Sequence, residues 1–192
     1  MAKKDLVVVG IGSSAGGLEA LQVFLSKLSS DLNCSYIIAQ HLSPTHRSMM
    51  VDLLGRITNI PVIEVQNGMV IKEKTIYMTP ENTDIFVSNG RLYLKSIEQT
   101  YGPKPSVNYF LNSLAQAYGV KSIGIILSGT GSDGAFGIRA IKASGGITIA
   151  QSPLSAKYDG MPVSAINTGK VDIVASIENI SNEIARIVDN LG

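Results

Sequence analysis

A serine pair, a histidine and an aspartate are the residues of this chain with the types and settings for chemistry. Ser13 and Ser14 lie in GIGSSAGG, His41 closes SYIIAQH, and Asp133 sits in ILSGTGSDGAFG. A hydroxyl, an imidazole and a carboxylate are the set that nucleophilic acyl transfer needs: the hydroxyl attacks, the imidazole takes its proton, and the carboxylate orients the imidazole. His41 and His46 are the whole imidazole supply. A multi-histidine metal site is therefore excluded, and any histidine base is one of these two. His46, among Ser, Pro, Thr and Arg, reads as a loop or helix-start residue.

Each motif alone admits other readings. GIGSSAGG suits a dinucleotide phosphate loop at a helix N-terminus, a turn that anchors one serine, or a tight turn whose glycines only allow close helix–strand packing. A dinucleotide fold wants an acidic residue about 20 residues further on, at the end of the second strand. That strand ends here in Gln40-His41, with no Asp or Glu. A histidine there is poor for ribose and right for a general base, although an isolated strand-end histidine is commonly just that. Asp133 could orient a histidine or act as N-cap of the helix that follows it. Metal binding has little support, because no cluster of carboxylates accompanies it.

These residues must be held by elements that the hydrophobic pattern makes visible. Leu6–Val9, Tyr36–Ala39, Pro61–Val65, Ser122–Leu127, Ile147–Ala150 and Val171–Val174 are greasy runs, as in strands buried on both faces. Helical spacing follows Gly17 (Leu18, Leu21, Phe24, Leu25, Leu28) and recurs in Met49–Leu54, in Pro105–Ala117, between the glycine-rich loop and Ser144, and from Ile177 to Leu191. Pro162 suits the first turn of a further short helix. In the middle of the chain, Thr75–Met78, Ile85–Val87 and Leu92–Leu94 are strand-like. Asn89-Gly90 is a type I′ hairpin signal, so an antiparallel insert at or near a sheet edge is expected. The rest predicts a three-layer, doubly wound α/β domain with a mostly parallel sheet, spanning 1–192 as one unit. Ligands of such sheets sit at the carboxyl ends of the strands, which is where all three motifs fall.

Composition removes several alternatives. Apolar residues make up 45% and charged residues 16%, and the formal net charge is +1. That is a globular composition, with no basic block for nucleic acid and no apolar stretch long enough for a bilayer. MAKKDLVVVG is too short for a signal peptide, so a cytoplasmic location is expected. Cys34 is the only cysteine. Beside an apolar run it reads as a buried structural thiol more readily than as a nucleophile.

GSSAGGLEAL, AQHLSP, IYMTPEN, KPSVNYFLNSLA, ILSGTGSDGAFG and TIAQSPLSAKYDGMPVSAI, in that order from about Leu6 to the end, resemble the catalytic domain of the CheB-type protein-glutamate methylesterases of bacterial chemotaxis. The resemblance implies Ser14 as nucleophile, His41 as base and Asp133 as its orienting carboxylate. Backbone N–H groups near Ala15 or Thr130 are the expected oxyanion donors. It implies hydrolysis of γ-glutamyl methyl esters on the helical cytoplasmic domains of chemoreceptors, deamidation of receptor glutamines as a second activity, and no cofactor or metal. Ala15 stands where the family often has threonine, Asn108 where aspartate is common, and Thr130 where methionine is frequent. The N-terminal receiver domain of many members has no counterpart here, so a stand-alone esterase or a piece of a larger protein is expected, with a receiver or methyltransferase domain as candidate neighbours. A Rossmann-like nucleotide-binding module and a catalytically silent signalling scaffold are the competing readings.

Overall fold

The computed structural model describes residues 6–41, 49–96 and 103–191. His46 lies outside the described residues. In chain order the elements are β1 (Val7–Ser13), α1 (Gly17–Ser26), β2 (Cys34–Gln40), α2 (Met50–Gly55), β3 (Val62–Glu64), β4 (Met69–Val70), β5 (Ile76–Met78), β6 (Thr83–Ser88) and β7 (Arg91–Ser96). The second half holds α3 (Val107–Tyr118), β8 (Ser122–Ile126), α4 (Ala135–Ala143), β9 (Ile147–Gln151), α5 (Gly160–Ile166), β10 (Ile173–Ala175) and α6 (Ile177–Leu191).

Seven strands form one sheet in the order β10-β9-β8-β1-β2-β5-β3, with every pairing parallel. The three central strands β1, β2 and β8 are buried along their whole length, which is why they read as continuous greasy runs. Alternate residues feed two cores. Val7, Val9, Ile11, Tyr36 and Ile38 pack with Leu21, Phe24 and Leu25 of α1 and Ile180 and Ile184 of α6. Val8, Ile37, Ala39 and Ile126 pack with Val107, Phe110, Leu111 and Leu114 of α3 and with Ile138, Ile141, Met161 and Ala165 of α4 and α5. The three-layer doubly wound domain is therefore present. From β1 the chain winds outward on one side, then returns to β8 on the other, so the topological switch falls beside β1.

The middle of the chain departs from expectation in one respect. Ile76–Met78 is no part of the antiparallel insert; it is β5, inserted between β2 and β3 of the parallel sheet. Its three residues are all buried, as a strand covered on both faces requires. The Asn89-Gly90 turn does close a hairpin, with φ of 48° and 71°. That hairpin, β6 and β7, pairs with β4 as a separate three-stranded antiparallel sheet and not with an edge of the main one. Ile85, Val87 and Leu92 of this sheet join the core beneath α3.

Strand β1 is longer than the Leu6–Val9 run suggests, because it continues through Gly10 and Gly12 to Ser13. These two glycines are not loop residues. A methyl group on Gly10 would lie 2.6 Å from Leu114 Cδ2, and one on Gly12 would lie 2.3 Å from Val107 Cγ1. Both distances are inside van der Waals contact, so α3 can lie this close to the sheet only where β1 lacks side chains. Among the described residues no helix is long and apolar enough to cross a membrane.

Candidate active site

At the switch point the ends of β1, β2 and β8 bring the three sequence motifs together. Ser13 and Gln40 are register partners, and the next rung is His41 N–H donating to Ser13 O at 2.9 Å. On the other side Ser14 N–H donates to Ser128 O at 3.0 Å. Ser14 is thus the first residue beyond β1, flanked by His41 at the end of β2 and by the loop after β8. A Cβ on Gly129 would approach Ser14 Cβ to 2.8 Å, so that loop rests directly on the serine.

The chain turns sharply after Ser14. Gly17 N–H donates to Ser14 O at 2.8 Å, and Gly16 between them has φ 71° and ψ 4°, the third position of a type II turn. Helix α1 starts at once. The glycines of GIGSSAGG therefore divide their work: Gly10 and Gly12 admit α3, and Gly16 makes the turn. A phosphate loop needs a glycine-rich turn with open space over its backbone. Here the side chains of α3 stand over Gly10 and Gly12, which is the physical case against the dinucleotide reading.

His41 Nε2 and Asp133 Oδ2 are 2.9 Å apart, with side-chain exposures of only 8% and 14%. Asp133 lies in the loop before α4, yet it does not cap α4, whose N-cap is Gly134 with no side-chain bond. The capping expectation is corrected to a different helix. Asp133 Oδ2 accepts Val107 N–H at 2.8 Å and Oδ1 accepts Asn108 N–H at 2.9 Å, so the carboxylate closes the first turn of α3. Ser106 Oγ accepts Tyr109 N–H at 3.2 Å as the helix's own N-cap. Burial pushes the Asp133 carboxyl up. The hydrogen bond from His41, the backbone N–H groups of Asn108 and Val107 and the imidazole charge outweigh it and hold the group below the usual carboxylate range. Asp133 is therefore an anion at neutral pH, aimed at the imidazole by a helix end that favours negative charge.

Asn108 returns the contact. Its Oδ1 accepts Gly134 N–H and Gly137 N–H, each at 2.9 Å, so α3 and α4 cap one another through Asn108 and Asp133. The asparagine that departs from the family's common aspartate still serves as an acceptor. Asp84 of β6 adds a tie from the small sheet: Oδ1 accepts Ser106 N–H at 2.7 Å and Oδ2 pairs with Lys104 Nζ at 2.8 Å.

Not every expected pairing is present. Ser14 Oγ is bonded to neither His41 nor any other described residue, although Ser14 and His41 share adjoining strand ends. Catalytic hydrogen bonds of this kind are often long without substrate. The N–H groups of Ala15 and Thr130 also make no hydrogen bond to the described protein, and Thr130 is exposed. Among the described residues no cluster of His, Cys, Asp and Glu could hold a metal ion. Cys34 is fully buried and burial pushes its thiol up to about 11, against a weaker opposing hydrogen bond to Tyr36; it is a structural thiol.

Several supporting residues escaped the sequence reading. Gln40 is 6% exposed and spans Ser13, Ser14 and the His41 backbone. Ser128 Oγ donates to Ala15 O at 2.8 Å and accepts Tyr158 N–H at 3.0 Å, joining three loops. Gln151 Oε1 accepts Ser128 N–H at 2.8 Å. Their one visible signal was a polar residue closing a greasy strand, as in IIAQ and TIAQ.

The fold and this cluster define a doubly wound α/β domain with a His–Asp pair beside an unbonded serine at the switch point. The model of the CheB methylesterase family matches residues 9–184, and the chain belongs to that family. It is 35% identical over 187 residues to the protein-glutamate methylesterase/protein-glutamine glutaminase of group 3 operon of Rhizobium meliloti, and 34% identical over 190 residues to the protein-glutamate methylesterase/protein-glutamine glutaminase of Archaeoglobus fulgidus. In each case 97% of this chain is matched, and it spans about half of the relative, 53% and 54%. The crystal structure of the Thermotoga maritima CheB methylesterase catalytic domain superposes with a TM-score of 0.86 at 27% identity, covering 95% of this chain and 97% of that one.

Proposed function

We propose that the chain is a serine esterase that hydrolyses glutamate γ-methyl esters on the helical cytoplasmic domains of chemoreceptors, with Ser14, His41 and Asp133 as its triad. The observation that carries this reading is the largely buried His41–Asp133 pair, 8% and 14% exposed at the side chains, beside the strand end that leads into Ser14. The names of the relatives and the family membership supply the substrate class.

In the forward step Ser14 Oγ attacks the ester carbonyl and His41 takes its proton. Asp133 engages Nε2, so Nδ1 is the ring nitrogen that accepts. Asp133 holds that tautomer and stabilises the imidazolium. The tetrahedral oxyanion is met by the N–H groups of Ala15 and Thr130, which have no partner among the described residues. Collapse breaks the bond to the methoxy group, which leaves as methanol with the proton from His41. Water, activated by the same imidazole, then attacks the acyl-serine and releases glutamate and free Ser14. A glutamine side chain entering the same sequence would release ammonia, the deamidation that the relatives' names include. The protein works in the cytoplasm, where those receptor domains lie, and a receiver or methyltransferase domain is the expected neighbour in a parent protein.

The test is methanol release from a methylated receptor fragment. Ser14→Ala should abolish it while the fold is kept, and His41→Ala should nearly do so. His46→Ala should not. Unchanged turnover in Ser14→Ala overturns the assignment; a folded wild-type protein with no turnover favours a silent scaffold.

A further inference from the structure

We infer that Gln40 is a positioning residue that aims the Ala15 N–H at the reacting oxygen, with Ser13 fixing the amide that does so. The inference rests on the serine-esterase reading above. Gln40 is the last residue of β2 and buried, and the bonds of its amide go to Ser13, Ser14 and the His41 backbone. Oε1 accepts the Ser13 hydroxyl at 2.5 Å. Nε2 donates to Ser14 O at 2.8 Å and to His41 O at 2.9 Å.

The Ser14 and His41 carbonyls decide which way the amide faces, and Ser13 locks it there. The two carbonyls only accept, so the NH₂ end must face them; the wholly buried Ser13 hydroxyl then donates to Oε1 and holds the amide in that orientation. Gly17 leaves room for this: a Cβ there would stand 2.0 Å from Gln40 Oε1. With Gly17 N–H as the second donor at 2.8 Å, Ser14 C=O is held from two sides. In a trans peptide the N–H points opposite to the C=O. Fixing Ser14 C=O toward Gln40 therefore fixes the Ala15 N–H in the opposite direction, and that N–H has no partner in the described protein. The side chain that orients this donor lies on the carbonyl side of the Ser14–Ala15 peptide, opposite the N–H it aims.

The second carbonyl held by Gln40 belongs to His41, so a role through the imidazole must be separable from a role through the oxyanion donor. The pH dependence separates them. The acid limb of kcat/KM reports the base, whereas a misaimed donor lowers the plateau and leaves the limb where it is.

The experiment compares wild type, Gln40→Met and Ser13→Ala on a methylated receptor fragment, per mole of protein shown folded by near-UV circular dichroism, with Ser14→Ala as control. Loss of one oxyanion donor lowers kcat about 10²–10³-fold. Gln40→Met should show a loss of that order with KM changed less than about threefold and the acid limb in place. Ser13→Ala, which keeps the amide and frees its rotamer, should lose less, and it keeps the test open should Gln40→Met fail to fold. Wild-type kcat in folded Gln40→Met, or in Ser13→Ala where that is the only folded variant, overturns the inference. So does a loss accompanied by a shifted acid limb, which would place the effect on His41. Activity surviving in Ser14→Ala would instead overturn the esterase reading itself.

Discussion

Replacing Asp133 separates its structural role from its proposed role in catalysis. Its carboxylate accepts three hydrogen bonds, from His41 Nε2 and from the Val107 and Asn108 N–H groups. Asp133→Ala removes all three and leaves two N–H groups at the start of α3 with no acceptor. A buried donor left unsatisfied costs about 1–3 kcal/mol, and the helix dipole loses its anion, a further ~0.3–1 kcal/mol. Partial exposure lets water repair some of this, so the total is about 2–4 kcal/mol, or ~5–15 °C in melting temperature for a chain of this size. Asp133→Asn keeps one oxygen for the α3 N–H groups and should cost only about 1–2 kcal/mol.

Activity should respond in the opposite proportion. An asparagine in place of a triad aspartate presents the wrong hydrogen-bond pattern to the imidazole, and in a serine protease that change lowers kcat about 10⁴-fold. A loss of that size is about 5.4 kcal/mol of transition-state stabilisation, several times the stability cost. Methanol release and urea denaturation on the same preparations give both numbers. An Asp133→Asn protein that keeps more than a tenth of its activity refutes the orienting role, and an Asp133→Ala protein that melts like wild type refutes the capping role.

The depressed Asp133 pKa sets a pH signature: its stabilisation is fully present above the unfolded carboxyl value near ~3.9 and is lost as pH falls through the lower folded value. The stability gap between wild type and Asp133→Asn, measured by urea titration, should accordingly close below about pH 4. Asn108→Ala should cost about 1–3 kcal/mol by stranding Gly134 and Gly137 N–H, and Asn108→Asp should recover most of it in the same assay. Gly12→Ala puts a methyl 2.3 Å from Val107 and should cost ~1–3 kcal/mol by overpacking, with activity falling too because α3 carries the donors that hold Asp133. Native Cys34 should resist a thiol reagent at pH 8 and react once the chain is unfolded, as a buried thiol near 11 requires.

How much was legible in the sequence depended on whether local pattern decided the structure. Strands β1, β2 and β8 were plain because both faces are buried and, apart from the Gln40 that closes β2, their residues are apolar, aromatic or small. Helix α6 was plain because one stripe alone, Ile177 to Leu191, meets the core. Strand β5 was misgrouped with the insert because IYM carries no sign of its partners; its place between β2 and β3 is a choice made by chain topology. The true end of β1 was hidden because glycine signals a loop far more often than a strand, and only the approach of α3 makes Gly10 and Gly12 strand residues. Asp133 as the cap of α3 could not be read at all. The contact joins residues 26 apart in sequence, and capping rules work on neighbours.

The three candidate side chains carry unequal structural burdens, and the order follows what each must do. Asp133 holds three bonds and never moves through the proposed cycle; it can afford to be part of the α3–α4 clasp because its proton state and position stay constant. Among the described residues His41 has one side-chain bond, to Asp133, which leaves Nδ1 for the proton that the proposed cycle moves. Ser14 Oγ has none to a described residue, while the Ser14 backbone is held on both sides by Ser128 O, Gly17 N–H and Gln40. The reacting atom is thus free to rotate between attack and acyl-enzyme on a backbone that cannot shift. This ordering implies that Ser14→Ala changes stability by less than about 0.5 kcal/mol, the range of substitutions that break no contact, while removing all turnover. A Ser14→Ala protein destabilised as much as Asp133→Ala would mean that the hydroxyl belongs to the structural network and that the division of labour argued here is wrong.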